Sequence, residues 1–310
     1  MVQFRRSLVA ALLVALSLAS QAQTPAPSQF MRMQKPTATQ EVLQTKARKY
    51  VPSKGDGPAI WLVGVAHIGQ AGYYKNLQKL LDEQSCVLYE GVTRKGVDPA
   101  AKTTGKEDPR QKTTYQMLSD TLGLQFQLYG IDYSRPTFHN SDLSWEELTA
   151  IEAKHPGPKG GMGLAGIGGL LNADSDQGKQ LASTLAMLKD DPGSMEGLRI
   201  GLMEILAEPG IVEKALSPSL GDLLIKTRNT KVLGDLKKEL AKPNQKSIAV
   251  FFGGGHMPDM EKHLTADFGY VAGEERWFTT MQGDTAKVTG QGQMILSLMR
   301  AQLASMKKGR

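Results

Sequence analysis

Apolar positions along this chain follow two rhythms, a continuous one in short runs and a helical one in longer stretches. Residues 59–65 are apolar and follow Ser53, Lys54, Gly55, Asp56, Gly57 and Pro58, a turn-forming cluster that feeds a buried strand. Tyr73, Leu77, Leu80 and Leu81 then recur at helical spacing, and Cys86-Val87-Leu88-Tyr89 reads as a second buried strand. Strand, helix and strand in this order predict a βαβ unit, with the two strands parallel, neighbouring and joined by a right-handed crossover. A third apolar run, residues 247–252, leads into Gly253-Gly254-Gly255-His256 and then into Met260, Leu264 and Phe268 at helical spacing, repeating the first turn.

Between these strands the pattern changes. Ser144-Trp145-Glu146-Glu147 has the spacing of a capping box, in which hydroxyl and carboxylate satisfy each other's backbone donors, so a helix begins there. It stops before His155-Pro156-Gly157-Pro158, and the glycine-rich span 160–169 reads as a loop or lid. From about 176 to 240 helical spacing returns, broken at Asp191-Pro192-Gly193, Glu208-Pro209-Gly210 and Ser217-Pro218. The expected fold is therefore α/β, with βαβ units around a mostly parallel central sheet and a large helical insertion at about 144–240. Residues 294–306 close the chain as an amphipathic helix bearing Ile295, Leu298, Met299 and Leu303. Packing against the body is its expected role.

The first residues follow neither rhythm. Arg5 and Arg6 precede an apolar run at 8–18, and Ser20-Gln21-Ala22 supplies small residues for cleavage, so 1–22 read as a signal peptide. A membrane span needs roughly 20 apolar residues, more than this run offers. Residues 23–56 are rich in Pro, Gln, Thr and Lys and read as an arm, with structure proper beginning at Ala59 and the domain covering 57–310. Periplasmic or secreted localisation follows, with no stable membrane span after cleavage. Cys86 is the only cysteine, so no intramolecular disulfide forms and stability rests on the apolar core. The formal charge of +6 becomes 6 − 2 = +4 once Arg5 and Arg6 leave, a mild excess without a nucleic-acid motif, so no nucleic-acid partner is expected.

Two strands deliver Gly-x-x-His at their carboxyl ends, Gly64-Val65-Ala66-His67 and Gly253-Gly254-Gly255-His256. Spacing alone proves little, because 33 glycines and 5 histidines make chance matches common. Position carries the weight: in open α/β sheets ligands sit outside the carboxyl ends of the strands. Glu90 follows its strand directly, which brings it to the same edge as His67. Two imidazoles and a carboxylate suit Zn, Mn, Co or Fe, and a bound cation lowers the pKa of its water towards neutrality. His139, His155 and His263 receive no role.

These motifs resemble a family. Trp61 to Ile68, Leu88-Tyr89-Glu90-Gly91, Phe138-His139-Asn140-Ser141-Asp142-Leu143-Ser144, Thr227-Arg228-Asn229, Phe252 to Pro258 and Gly269-Tyr270 are similar, in order and spacing, to the motif series of the TraB/PrgY/GumN/Tiki proteins. The resemblance covers about 59–271. It implies an α/β core related to the erythromycin esterase (EreA) and ChaN folds, with metal-dependent proteases in the Tiki branch. Carried over, it places His67 and His256 as metal or catalytic histidines and Glu90 as acid/base and metal ligand. Arg228 and Asn229 take the place that orients the site or stabilises an oxyanion. The usual Asn-Ala-Asp-Leu is Asn140-Ser141-Asp142-Leu143 here, which leaves Asp142 second in rank beside a role as a helix N-terminal acid.

Three functions stay open at this point. One is an exported metal-dependent peptidase using a divalent ion (Mn, Co or Zn); another is a metal-independent esterase using His67 and Glu90; the last is a non-catalytic binder of haem or another ligand. A peptide or small ester is the expected substrate. Export makes the first testable statement: mature protein from a bacterial host begins near Gln23 by N-terminal sequencing, whereas an intact Met1 in the membrane fraction would show an uncleaved anchor.

Overall fold

A computed structural model describes residues 28–95, 113–154, 172–210, 220–221, 223–243 and 245–308. The signal peptide, the glycine-rich span 160–169, His155 and Ser217-Pro218 lie outside the described residues. The strands are β1 (Met31–Gln34), β2 (Gln40–Pro52), β3 (Ala59–Val65), β4 (Ile68–Gly69), β5 (Cys86–Tyr89), β6 (Gln125–Phe126), β7 (Phe138–Asn140), β8 (Ser247–Gly253) and β9 (Tyr270–Asp284). The helices are α1 (Ala71–Asp82), α2 (Thr114–Leu122), α3 (Gln127–Gly130), α4 (Trp145–Lys154), α5 (Asp176–Leu188), α6 (Pro192–Leu206), α7 (Arg228–Leu240), α8 (Met257–Ala266) and α9 (Gln291–Lys308).

The fold is α/β. One sheet runs β1-β2-β3-β8-β5-β7 with β9 paired to β2, and β4 pairs β6 in a small second sheet. β3, β8, β5 and β7 are mutually parallel, and β2 is antiparallel to β1, β3 and β9, so β2 alone runs against the rest. The expected neighbours β3 and β5 are not adjacent: β8 lies between them, with Leu62 opposite Val250 on one side and Leu88 opposite Val250 on the other. The composition of β8 explains this. Its residues 248–252 are all apolar and buried, which only a strand covered on both faces tolerates.

Alternation along the strands sorts the core into two layers. Ile60, Leu62, Ile248, Val250 and Phe252 face α7 and α8 through Val232, Leu236, Met257, Met260 and Leu264. Trp61, Val63, Val87, Ala249 and Phe251 face the other way, onto Tyr73, Tyr74, Leu77, Leu80 and Leu81 of α1. Helix α7 is thus a core layer, and the insertion expected to reach residue 240 gives way before it. The capping box at Ser144 and Glu147 forms as expected, with Glu147 N–H donating to Ser144 Oγ at 3.2 Å and Ser144 N–H to Glu147 Oε2 at 2.7 Å.

Residues 23–56 depart most from the sequence expectation. Instead of an arm, β1 and β2 occupy most of the described part, and β2 pairs along nearly its whole length with the 15-residue β9. Charged residues of this segment find partners on β9 and α8. Arg48 reaches Glu261 at 2.8 Å and Glu275 at 3.3 Å, and the buried Lys46 ammonium sits over Phe30 at 4.5 Å. The closing helix α9 packs on α6. Gly193, Gly197 and Gly201 recur every fourth residue along α6, and a Cβ at Gly197 would stand 2.4 Å from the Gly292 oxygen, so small residues admit this close approach. Among the described residues no helix is long and apolar enough to cross a membrane.

Candidate active site

Three strand ends meet over Gly253. β8 ends there, and its neighbours β3 and β5 send His67 and Glu90 across it from either side. A Cβ at Gly253 would lie 3.2 Å from Glu90 Oε2, 3.7 Å from His256 Cδ2 and 3.8 Å from His67 Nε2. A methyl group there would crowd Glu90 Oε2 and touch both imidazoles, so glycine at this position leaves the carboxylate its place. His256 arrives one short 3-10 turn later, Gly254–His256, at the entrance to α8. The structure thus brings together His67, Glu90 and His256, and it does so with the strand order that the sequence did not reveal.

Each imidazole is held in one tautomer by an amide. Asn229 donates both N–H groups, to the His256 carbonyl at 3.1 Å and to Asp259 at 2.8 Å, so its oxygen accepts from His256 Nδ1 at 2.7 Å. Gln127 donates to the Tyr133 hydroxyl at 2.7 Å, so its oxygen accepts from His67 Nδ1 at 2.9 Å. Both Nε2 atoms are left as lone-pair acceptors facing the site. The backbone supports are equally specific. Tyr73 accepts from the Ala66 N–H at 3.1 Å, Tyr74 donates to the Ala66 oxygen at 2.9 Å, and the Gln127 N–H reaches the His67 oxygen at 2.8 Å.

Arg228 stands at the opposite side. It follows a π-turn, Leu223–Thr227, and opens α7 with its guanidinium buried. Nε and Nη2 form a fork on Asp142 at 2.8 and 2.6 Å, Nη2 also donates to Glu90 Oε1 at 2.6 Å, and Nη1 reaches the Leu224 oxygen at 3.3 Å and His256 Nε2 at 3.4 Å. All five N–H groups of Arg228 are therefore engaged, as are both of Asn229. Neither has a donor left for an oxyanion, and the geometry assigns both a positioning arrangement. Asp142, with a fully buried side chain, is the second anchor of Arg228 and also accepts from the Gly91 N–H at 3.0 Å; Ser144, not Asp142, caps α4.

Charge follows from these contacts. Burial opposes ionisation of Glu90, but Arg228, the two imidazoles and the Gly253 N–H, at 2.6 Å from Oε2, outweigh it and hold the carboxyl well below its usual range. Burial is the main cause that pushes His256 down to about 4, with Arg228 adding to it against the pull of Glu90. Glu90 and Asp142 thus share one guanidinium, while His256 stays neutral at neutral pH. Burial likewise pushes the Cys86 thiol up to about 12, which removes it from nucleophilic chemistry at neutral pH.

The donor types suit a divalent ion, and an Nδ1–H tied to a carbonyl-type oxygen is the arrangement of metal-bound histidine. Geometry argues otherwise for Glu90 as the third ligand: both its oxygens already accept 2.6 Å bonds, from Arg228 and Gly253. Among the described residues no three His, Cys, Asp or Glu side chains form a metal-holding group. In this arrangement the counter-cation of Glu90 is Arg228. Of the remaining histidines, His139 is exposed on β7 and His263 pairs with Asp267 on the outer face of α8. Sequence reasoning missed Gln127 and Tyr115, whose ring lies 5.2 Å from that of His67. Thr113 and Gln116 form a capping box at the start of α2, a spacing legible in the sequence that marks the start of the helix carrying Tyr115. Comparison with family models, with curated proteins and with solved structures gave no match.

Two outcomes follow from the buried charges. Arg228→Met leaves Glu90 and Asp142 buried without their cation, a loss of about 3–5 kcal/mol in chemical denaturation; a loss under about 1 kcal/mol would show that water solvates the pair. An unfolded chain protonates His256 below its ordinary 6.5, while the folded chain resists until about 4, so protons favour the unfolded state between these values. Stability present above pH 6.5 is lost as pH falls towards 4. Urea midpoints measured across this window drop more steeply in the parent than in His256→Gln; equal slopes would place His256 in solvent.

Proposed function

We propose that this chain is an exported hydrolase of ester or peptide bonds, in which His67 takes a proton from water and Glu90 and His256 hold the site around it. The observation that carries this reading is the pair of pinned tautomers: two Nε2 lone pairs and an ionised carboxylate converge over Gly253. His67 is the more exposed imidazole, whereas His256 is buried, pushed down to about 4 and already faced by Arg228, which makes it the weaker base. In the first step water oxygen bonds to the carbonyl carbon as its proton passes to His67 Nε2, and the negative charge of Glu90 stabilises the imidazolium that forms. In the second the carbon–oxygen or carbon–nitrogen bond breaks, and the leaving group takes that proton from His67. Arg228 keeps Glu90 ionised and fixed; Asn229 fixes His256. The resemblance to the TraB/PrgY/GumN/Tiki motif series, with its erythromycin esterase and ChaN relatives, supports the same set of residues.

A second reading is favoured by one observation: both imidazoles carry the Nδ1–H bond to an amide oxygen that metal-bound histidines make. There His67 and His256 would hold Zn, Mn or Co, which would supply Lewis acidity at the water, and Glu90 would have to leave Arg228 to join them. Hydrolysis of p-nitrophenyl acetate and of a peptide library, with metal content measured on the same protein, separates the readings. His67→Ala and Glu90→Gln each lower turnover by about two to four orders of magnitude with melting temperature retained, and chelator leaves the parent rate unchanged. Stoichiometric metal lost together with activity in His67→Ala would put the metal-dependent reading first; full activity in both variants would remove the site from any catalysis.

A further inference from the structure

Hydrolysis at this site needs a hydrogen-bond donor for the carbonyl oxygen that gains charge, and the residues carried over from the family resemblance do not provide one. Each N–H of the Arg228 guanidinium and of the Asn229 amide is bound to the protein. Freeing an Nε or Nη2 N–H of Arg228 would break its pairing with Glu90 or Asp142, and the two Nη1 N–H groups hold the Leu224 oxygen and His256 Nε2. A side-chain donor has to come from another element.

Helix α2 supplies a candidate. Tyr115 sits in its first turn, just inside the capping box in which Thr113 accepts from the Gln116 N–H and Gln116 from the Thr113 N–H. Its ring stacks on Phe126 at 5.8 Å and 9° and meets the His67 ring at 5.2 Å and 57°. Phe126 is itself fixed to the His67 loop, since β6 pairs Phe126 with Ile68 and the next N–H, of Gln127, binds the His67 oxygen at 2.8 Å. The phenol is therefore mounted on the same frame as the proposed base. Among the described residues no hydrogen bond engages its hydroxyl, whereas the neighbouring phenols are spoken for: Tyr73 by Thr45 and Ala66, Tyr74 by Ala66, Tyr133 by Gln127 and Tyr129 by Gln116.

We propose that the Tyr115 hydroxyl donates a hydrogen bond to the substrate carbonyl oxygen as water attacks, making Tyr115 a catalytic residue of this site. The proposal rests on the hydrolase reading. Burial chiefly, and then the negative charge of Glu90, push the phenol above its ordinary value, so the hydroxyl keeps its proton throughout the neutral range. A donor fixed in place beforehand needs no reorganisation as charge develops on the oxygen.

Tyr115→Phe removes the hydroxyl and keeps the ring that stacks on Phe126 and touches His67. Hydrolysis of p-nitrophenyl acetate and of N-acetyl-phenylalanine p-nitroanilide is measured for the parent, Tyr115→Phe and His67→Ala, with melting temperatures taken on the same preparations. The expected result is a kcat lower by about 10²–10³-fold in Tyr115→Phe, KM within about threefold of the parent and an unchanged melt. Parental kcat in Tyr115→Phe, or a rise in KM alone, overturns the role of Tyr115 and leaves the hydrolase reading standing. A melt lowered in step with kcat, and a Tyr115→Trp variant that restores both, assigns the ring a packing role and also overturns it. A parent that hydrolyses neither probe faster than His67→Ala removes the hydrolase reading, and Tyr115 goes with it.

Discussion

The buried guanidinium of Arg228 is the interaction on which the arrangement of the site depends. Two carboxylates cannot remain ionised side by side in a protein interior without a cation, and an isolated buried charge costs several kcal/mol. Arg228 meets that demand with a planar fork on Asp142 and a shared bond to Glu90, a geometry that lysine, with a single ammonium, does not reproduce. Three distant segments are tied at one point as a result: the end of β5, the loop after β7 and the start of α7. The π-turn Leu223–Thr227 immediately before Arg228 fits this constraint, since a widened turn sets where the first residue of the following helix points.

Sheet geometry does the rest. β8 ends in glycine between two strands, of which β3 ends level with it and β5 two residues earlier, and His67 and Glu90, which follow those strands, bring their side chains to Gly253 from opposite sides. Amides on separate elements, Asn229 on α7 and Gln127 on α3, then fix which ring nitrogen of each histidine faces inward. The site is thus pre-organised by hydrogen bonds on the side away from the substrate, while the inward lone pairs remain unsaturated by side-chain donors other than Arg228. Such a pattern has a cost in stability and a use in catalysis, because basic groups that the protein leaves facing open space are available to water or a substrate.

The strand-end position of all three site groups was legible in the sequence, because each follows an apolar run beside a glycine; His67 and Glu90 do meet, but across β8 and not from the neighbouring strands that the sequence predicts. Arg228 and Asn229 were legible only through family resemblance: nothing in the local pattern of 223–229 says that a guanidinium there reaches residue 90. The strands β2 and β9 were not legible at all. Residues such as Lys46, Arg48 and Glu275 give their segments the composition of surface loops, and they become strand residues because each finds its opposite charge across the ladder or, as Arg48 does with Glu261 of α8, beside it. Gln127 and Tyr115 escaped for a different reason, since polar and aromatic side chains at helix starts carry no periodic mark of the group they will touch.

What the sequence determined by itself is local: where buried strands run, where Ser144 begins a helix, and which strand ends carry a histidine or a glutamate. Period, capping and turn chemistry act over a few residues and need no knowledge of the rest of the chain. The tertiary structure decided the strand order that puts His256 between His67 and Glu90, the cation that neutralises Glu90, and the tautomer of each imidazole. Each of these depends on contacts between residues separated by 27 to 188 positions, as Asn229 is from His256 and Ser247 from Ala59, and on a low-dielectric interior that exists only once both sides of the sheet are covered.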